Sequence, residues 1–168
     1  NNLGKHGFEF VADVLDTGTS LTRLYIDSNP IESKDVAATF ANTLIKHSSL
    51  RTLLLENCGI GQNDGIMDIL VPALLRLVHV SLDSNSIGSY GGGAKLISDN
   101  LASNPKLRAL HLNGNLLNDS DAKMLAGCLK TNTNLRSLKM AGNRITDSGM
   151  VALYQSVNNV FGLNELYD

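Results

Sequence analysis

Little in this sequence commits it to chemistry. Its two cysteines, Cys58 and Cys128, stand 70 positions apart, without the paired spacing of a metal knuckle or a disulfide framework, so a reducing compartment fits. No stretch approaches the ~20 apolar residues that cross a bilayer, and no basic-then-apolar leader opens the chain, so a soluble protein with no membrane contact is expected. Neither sign of charge dominates: 14 Lys and Arg stand against 16 Asp and Glu, a net −2, which leaves no overall field to gather nucleic acid. Any electrostatic preference must be local. There is no G-x-S-x-G elbow, no H-E-x-x-H pair and no cysteine in an activating context, and the carboxylates are scattered over repeating positions. A non-enzymatic protein without cofactor or metal is the expectation. The chain is long enough for one domain with a sizeable core. It does not begin with Met, and a longer parent chain is expected.

What is present is a repeat. The pattern L-x-x-L-x-L-x-x-N/C-x-I/L runs through Leu21, Leu24, Ile26, Asn29 and Ile31, then through Leu50, Leu53, Leu55, Cys58 and Ile60. It returns at Leu77, Val80, Leu82, Asn85 and Ile87, at Leu107, Leu110, Leu112, Asn115 and Leu117, and at Leu135, Leu138, Met140, Asn143 and Ile145. Asn1 and Leu3 match the end of a preceding copy, and Leu163 and Leu166 the start of a following one. Residues 1–168 therefore read as one domain of five full copies with partial copies at both ends. Successive first leucines lie 29, 27, 30, 28 and 28 residues apart.

Alternation in the x-L-x-L core predicts a short strand per repeat, leucines inward and intervening residues outward, stacking into a parallel sheet. The polar slot after each strand places an amide where it hydrogen-bonds neighbouring turns. Asn29, Cys58, Asn85, Asn115 and Asn143 are expected to form this structural ladder, with Cys58 a small permitted substitute. The roughly 19 to 22 residues between motifs suffice for about three helical turns. Their apolar spacing is helical: Phe8, Val11, Ala12 and Leu15; Val36, Phe40 and Leu44; Ala94, Ile97 and Leu101; Ala122, Leu125, Ala126 and Leu129; Met150, Leu153, Tyr154 and Val157. Ser33, Asp119 and Asp147 stand where N-caps are expected. Pro72 predicts a short or kinked third helix, and Gly91 to Gly93 a flexible turn before the fourth.

With its 28–29-residue period, its Asn/Cys slot and its helical return, the whole chain resembles the ribonuclease-inhibitor-like class of leucine-rich repeat proteins. The resemblance implies an α/β solenoid, a horseshoe arc with parallel strands on the concave side and helices on the convex side. It further implies a cytoplasmic binding protein, the class including ribonuclease inhibitors, innate-immune sensor arrays, actin-regulatory arrays and the Ran GTPase-activating protein.

On that fold the residues between the leucines form columns across the concave face. One column reads Tyr25, Leu54, Ser81, His111, Lys139 and Tyr167, and the next reads Arg23, Thr52, His79, Ala109, Ser137 and Glu165. A third, Asp27, Glu56, Asp83, Asn113 and Ala141, is acidic in its first half. Exposed Tyr25 and Leu54 beside Asp27, Glu56 and Asp83 would suit a basic, partly apolar partner surface, with His111 and Lys139 extending the patch. The competing explanation is a polar coat that merely keeps the sheet soluble. Arg51, Arg108 and Arg136, just after the first leucines, are expected to be solvated and partly ion-paired to the next repeat. His79 and His111 sit diagonally with no third ligand, which argues against metal; His6 and His47 suggest no role. The leading expectation is a protein-interaction module. The alternatives are a regulator of a small GTPase, and a structural array that self-associates through uncapped ends.

Overall fold

The computed structural model describes residues 3–17, 20–62, 65–89, 91–157 and 165–167. The sequence matches at Asn1 and Leu163 lie outside the described residues. Helices and strands alternate: α1 (Gly4–Asp16), β1 (Arg23–Tyr25), α2 (Lys34–Lys46), β2 (Thr52–Leu54), α3 (Ile66–Leu74), β3 (His79–Ser81), α4 (Gly93–Leu101), β4 (Ala109–His111), α5 (Asp119–Leu129), β5 (Ser137–Lys139), α6 (Asp147–Val157) and β6 (Glu165–Tyr167). The six strands form one parallel sheet in chain order, so each repeat pairs only with its sequence neighbours. Strands stack ~4.8 Å apart whereas packed helices need 8–10 Å, and that mismatch curls the array with the sheet on its inner, concave side. The chain is an α/β leucine-rich repeat solenoid.

The motif leucines supply the core. Leu53, Leu55 and Ile60, then Val80, Leu82 and Ile87, then Leu110, Leu112 and Leu117, are each at most 2% exposed. Inward helix faces meet them through Phe40, Leu44, Ile97, Leu101, Leu125 and Leu153. Phe8 of α1 stands edge-on to Phe40 of α2, ring centroids 5.5 Å apart. One member of a predicted stripe departs: Tyr154 is 62% exposed, while Leu153 is buried beside half-buried Met150 and Val157. Only about 100° of α6 faces the core, and Tyr154 falls outside that arc.

Cap positions also differ in part from the expectation. Ser33 caps α2 through Val36 N–H. For α5 the N-cap is Asn118 rather than Asp119, in a reciprocal capping box with Asp121. Asp119 instead reaches across to the start of α6, accepting from Thr146 N–H at 2.7 Å, Thr146 Oγ1 at 2.7 Å and Gly149 N–H at 3.2 Å. Those bonds hold its carboxyl below the usual range. Asp147 is the first helical residue of α6. Helix α3 is short, nine residues, with Pro72 inside it, and closes in tight bonds from Arg76 N–H to Ala73 O and Leu77 N–H to Leu74 O. Gly91 and Gly92 carry φ of +69° and +84° ahead of α4, a backbone that L side chains rarely adopt.

The chain then turns away from each strand through the Asn/Cys slot, where buried backbone groups must find partners. Asn115 is fully buried and its side chain makes four hydrogen bonds. Its Nδ2 donates to Leu82 O and Asn113 O, and its Oδ1 accepts from Asn85 N–H at 2.9 Å and Ile87 N–H at 3.3 Å. Asn85 does the same with Leu55 O, Asp83 O, Cys58 N–H and Ile60 N–H, and Asn143 with Leu112 O, Met140 O, Asn115 N–H and Leu117 N–H. Asn29 accepts from Leu3 N–H and donates to Ile26 O and Asp27 O. Cys58 supplies only the donor half: its Sγ lies 3.5 Å from Ile26 O and 3.4 Å from Glu56 O. Burial pushes its thiol pKa up, which keeps that donor protonated. Replacing Asn115 by Ala leaves two N–H groups and two carbonyls of the interior without side-chain partners, and should lower unfolding stability by about 3 kcal/mol or more. Urea denaturation followed by circular dichroism measures it; a loss under about 1 kcal/mol would mean the ladder is dispensable.

Candidate functional site on the concave sheet

The strand register brings the outward columns together. Tyr25 pairs with Leu54, Leu54 with Ser81, Ser81 with His111, His111 with Lys139 and Lys139 with Tyr167. In the neighbouring column Arg23, Thr52, His79, Ala109, Ser137 and Glu165 follow in order. Tyr25 is 57% exposed at the first strand. Leu54, expected to be exposed, is half-buried, because it sits in the wall of a hollow.

That hollow, about 430 Å³, spans β2 to β5. Small side chains at Ala109 and Ser137 give it depth, Leu54 gives it an apolar flank, and His79, Arg108, His111, Arg136 and Lys139 surround it with basic groups. A second hollow of about 460 Å³ continues toward β1, lined in part by Tyr25, Arg23, Arg51 and His79. Together they form a groove across the sheet.

The three arginines are held, but not by carboxylates. Nη1 of Arg51 donates to Ser48 O and Leu50 O, that of Arg136 to Thr133 O and Leu135 O, and that of Arg108 to Asn134 O and Asn134 Oδ1. None of the three forms an ion pair with an acid whose side chain is described; ion pairs seen among those residues, Lys5–Glu9, His6–Glu9 and Lys95–Asp99, lie on helices α1 and α4. Backbone carbonyls at the strand entrance lie closer to these guanidiniums than any acid does.

The acidic column lies at the opposite, strand-end side and is largely engaged in holding repeats together. Asp27 Oδ1 accepts from Glu56 N–H at 2.8 Å. Glu56 Oε1 accepts from Ser81 Oγ at 2.9 Å. Asp83 accepts from Asn113 N–H and from Asn113 Nδ2, and Asn113 Oδ1 accepts in turn from Ala141 N–H. Asp27, Asp83 and Asn113 thus form a second ladder that the sequence reading took only for a binding patch. A third was missed altogether. Three residues before the first leucine, His47 Nδ1 accepts from Leu50 N–H, Asn104 Oδ1 from Leu107 N–H and Asn132 Oδ1 from Leu135 N–H. The signal was available as a recurrent polar residue at one register position.

His79 and His111 are diagonal across β3 and β4, and among the described residues no three His, Cys, Asp or Glu side chains gather to hold a metal. A further hollow of about 590 Å³ beside the glycine turn has Asp68 as its charged lining residue, which opposes phosphate. Among the described residues no helix is long and apolar enough to cross a membrane.

His111 is held below its ordinary value of 6.5, chiefly by burial and next by Lys139, with His79 acting the same way; Asp83 and Glu56 pull it back. A histidine more basic in the unfolded than in the folded chain contributes stability that is fully present above pH 6.5 and is lost as pH falls from there through the lower folded value. The His111 imidazole resonance should therefore titrate below 6.5 in an NMR titration. Lys139→Gln should move the midpoint upward, and an unmoved midpoint would remove Lys139 as a cause.

The comparisons agree with this fold. A family model described as Leucine Rich repeat matches residues 103–126 and 131–153. No curated protein matches the chain. Among solved structures, the C-terminal domain of tropomodulin from Caenorhabditis elegans is similar with a TM-score of 0.62 at 13% identity, covering 90% of this chain and 92% of that one. Leiomodin-1 actin-binding site 2 is similar with a TM-score of 0.57 at 12% identity, covering 96% of this chain and 79% of that one.

Proposed function

We propose that this chain, a leucine-rich repeat protein, is a non-enzymatic protein-interaction module that seats a protein partner on its concave sheet. One observation carries the reading: the outward columns assemble into a continuous groove with an exposed aromatic at one end, an apolar flank and charged rims. Groove-lining side chains that the ladders leave free are available for recognition, and a mixed apolar and charged surface is what protein interfaces use. The leiomodin-1 site with the same fold is an actin-binding site, which favours a protein partner over a small molecule. Tyr25, Leu54 and Glu56 lie together, with Asp27 and Asp83 along the same edge and His111 and Lys139 farther along the sheet. A partner basic where it meets Asp27 and Glu56 suits that edge. The repeat subtype is ribonuclease-inhibitor-like on its period and helical return, and residues 1–168 act as one repeat domain. A cytoplasmic setting suits two buried thiols, one of which, Cys128, is pushed up to about 11 by burial.

The test is capture from an extract of the source organism with three immobilised forms. The natural chain should retain a partner. A Tyr25→Ala, Glu56→Gln, Lys139→Glu triple variant, folded by circular dichroism, should lose at least about tenfold of it. A Phe10→Ala, Tyr154→Ala variant, altered at exposed positions of α1 and α6, should keep it. Loss in the helix variant with retention in the sheet variant would place binding on the convex side and reject the reading.

A further inference from the structure

We infer that the hollow across β2 to β5 receives an acidic segment of the protein partner, its carboxylates facing Arg108 and Arg136. The inference rests on the concave face being the binding face and names the chemistry that the face selects.

Three observations converge. First, Arg108 and Arg136 sit on adjacent strands, about 4.8 Å apart in the stacking direction, and both line the hollow. Each guanidinium is fixed by Nη1 to carbonyl or amide oxygens of the chain, which restrains it without neutralising it. Neither forms an ion pair with an acid whose side chain is described. A guanidinium carries five N–H donors in a planar fork, so an anchored Nη1 leaves further donors that match a carboxylate. Rotamer entropy normally offsets much of an arginine contact, and these two are already ordered before any ligand arrives.

Second, Ser137 follows Arg136 in the lining and pairs in register with Ala109, which follows Arg108. Ser137 is 8% exposed, and its Oγ has no hydrogen-bond partner. A buried hydroxyl without a partner costs the fold something on the order of 1–3 kcal/mol. The Oγ is enclosed, so the side chain must rotate about Cα–Cβ to meet a carboxylate in the hollow, which then supplies the missing acceptor.

Third, charge is segregated. Arg51, Arg108 and Arg136 just precede their strands, while Asp27, Glu56 and Asp83 follow theirs, five positions and roughly 16 Å along the strand direction. A continuous polyanion crossing the sheet would run onto those carboxylates. A peptide with a short acidic run satisfies the cationic side and can place neutral or basic residues at the other. Protonation of His111 adds cationic character to the hollow, with Lys139 and His79 on the same side and Asp83 and Glu56 opposing, so affinity should rise as pH falls below 6.5.

The experiment is fluorescence anisotropy of the full chain with a labelled octapeptide of four alternating Glu and Asp followed by four alternating Gly and Ser, against an octalysine peptide and an eight-nucleotide thymidine strand. The natural chain should bind the acidic peptide in preference to both, with affinity falling as salt rises. Arg108→Gln with Arg136→Gln should weaken it by at least about tenfold. Ser137→Ala should weaken it severalfold while leaving the melting temperature unchanged or higher, since it removes a buried unpaired hydroxyl; a purely structural serine would not produce that split. Equal or tighter binding of the oligonucleotide overturns the inference, as does an affinity unchanged in both variants. If the acidic peptide fails to bind while the sheet triple variant still loses its captured partner, this inference falls and the concave-face reading stands. If that variant also keeps its partner, both fall.

Discussion

Everything in this molecule hangs on a buried side-chain amide that answers its own repeat and the one before it. After each strand the backbone must turn toward the helix layer while its N–H and C=O groups are enclosed on both sides, and no regular ladder serves them there. Asparagine solves this because one side chain offers two donors and a two-lone-pair acceptor. Asn115 spends them on Leu82 O, Asn113 O, Asn85 N–H and Ile87 N–H, so a single residue stitches two repeats. The positions just before the slot take up the strain: Ser28, Asn57 and Ser84 have φ near +55°, and Gly114 and Gly142 occupy the same place at +62° and +67°. Gly88, one step past the motif, allows the next backbone close, since a Cβ there would meet Leu116 O at 2.5 Å. Cys58 shows how far the rule relaxes: a thiol donates toward both carbonyls but offers no comparable acceptor, and Ile31 N–H turns to Cys58 O instead.

Because the ladder sets a fixed stacking distance on one side and helix diameters set a larger one on the other, curvature follows from geometry alone, and the concave columns follow from curvature. That makes the inner face a surface whose rows are aligned by the fold while their chemistry is free. Here the rows resolve into arginines at the strand entrance and carboxylates at the strand exit, with Leu54, Ala109 and Ser137 between them beside His79, His111 and Lys139. The chain's near-zero net charge conceals this division, because formal charge sums over a face that is polar in the literal sense.

Much of this was legible in the letters. Leucine spacing specified strand, turn and helix in each repeat, the parallel order of the sheet, and which residues share a column. What stayed hidden were partnerships between repeats. Asp119 looks like a local N-cap; only with α6 stacked beside α5 does its carboxylate reach Thr146 and Gly149, leaving the local cap to Asn118. Asp83 reads as surface acid until β4 arrives and both its oxygens are taken by Asn113. Leu54 reads as exposed until Thr52, His79 and Ser81 close around it. Local pattern encodes the side of an element that points inward; it does not encode which polar atom of the next repeat falls within 3 Å.

The same distinction separates scaffold from recognition. A carboxylate whose two oxygens are already bonded to the next repeat, one to a backbone N–H and one to a side-chain amide, has little left for a partner, and changing it disturbs stacking and binding together. Asp83 is of that kind. A guanidinium restrained by carbonyl oxygens is the reverse case: it is ordered by the fold, its charge is uncompensated, and the hydrogen bonds it makes do not discharge it. Selectivity on this face therefore concentrates where the structural hydrogen bonds fix position without consuming charge, at Arg108 and Arg136. The strand-exit acids tune the field around them while holding the array together.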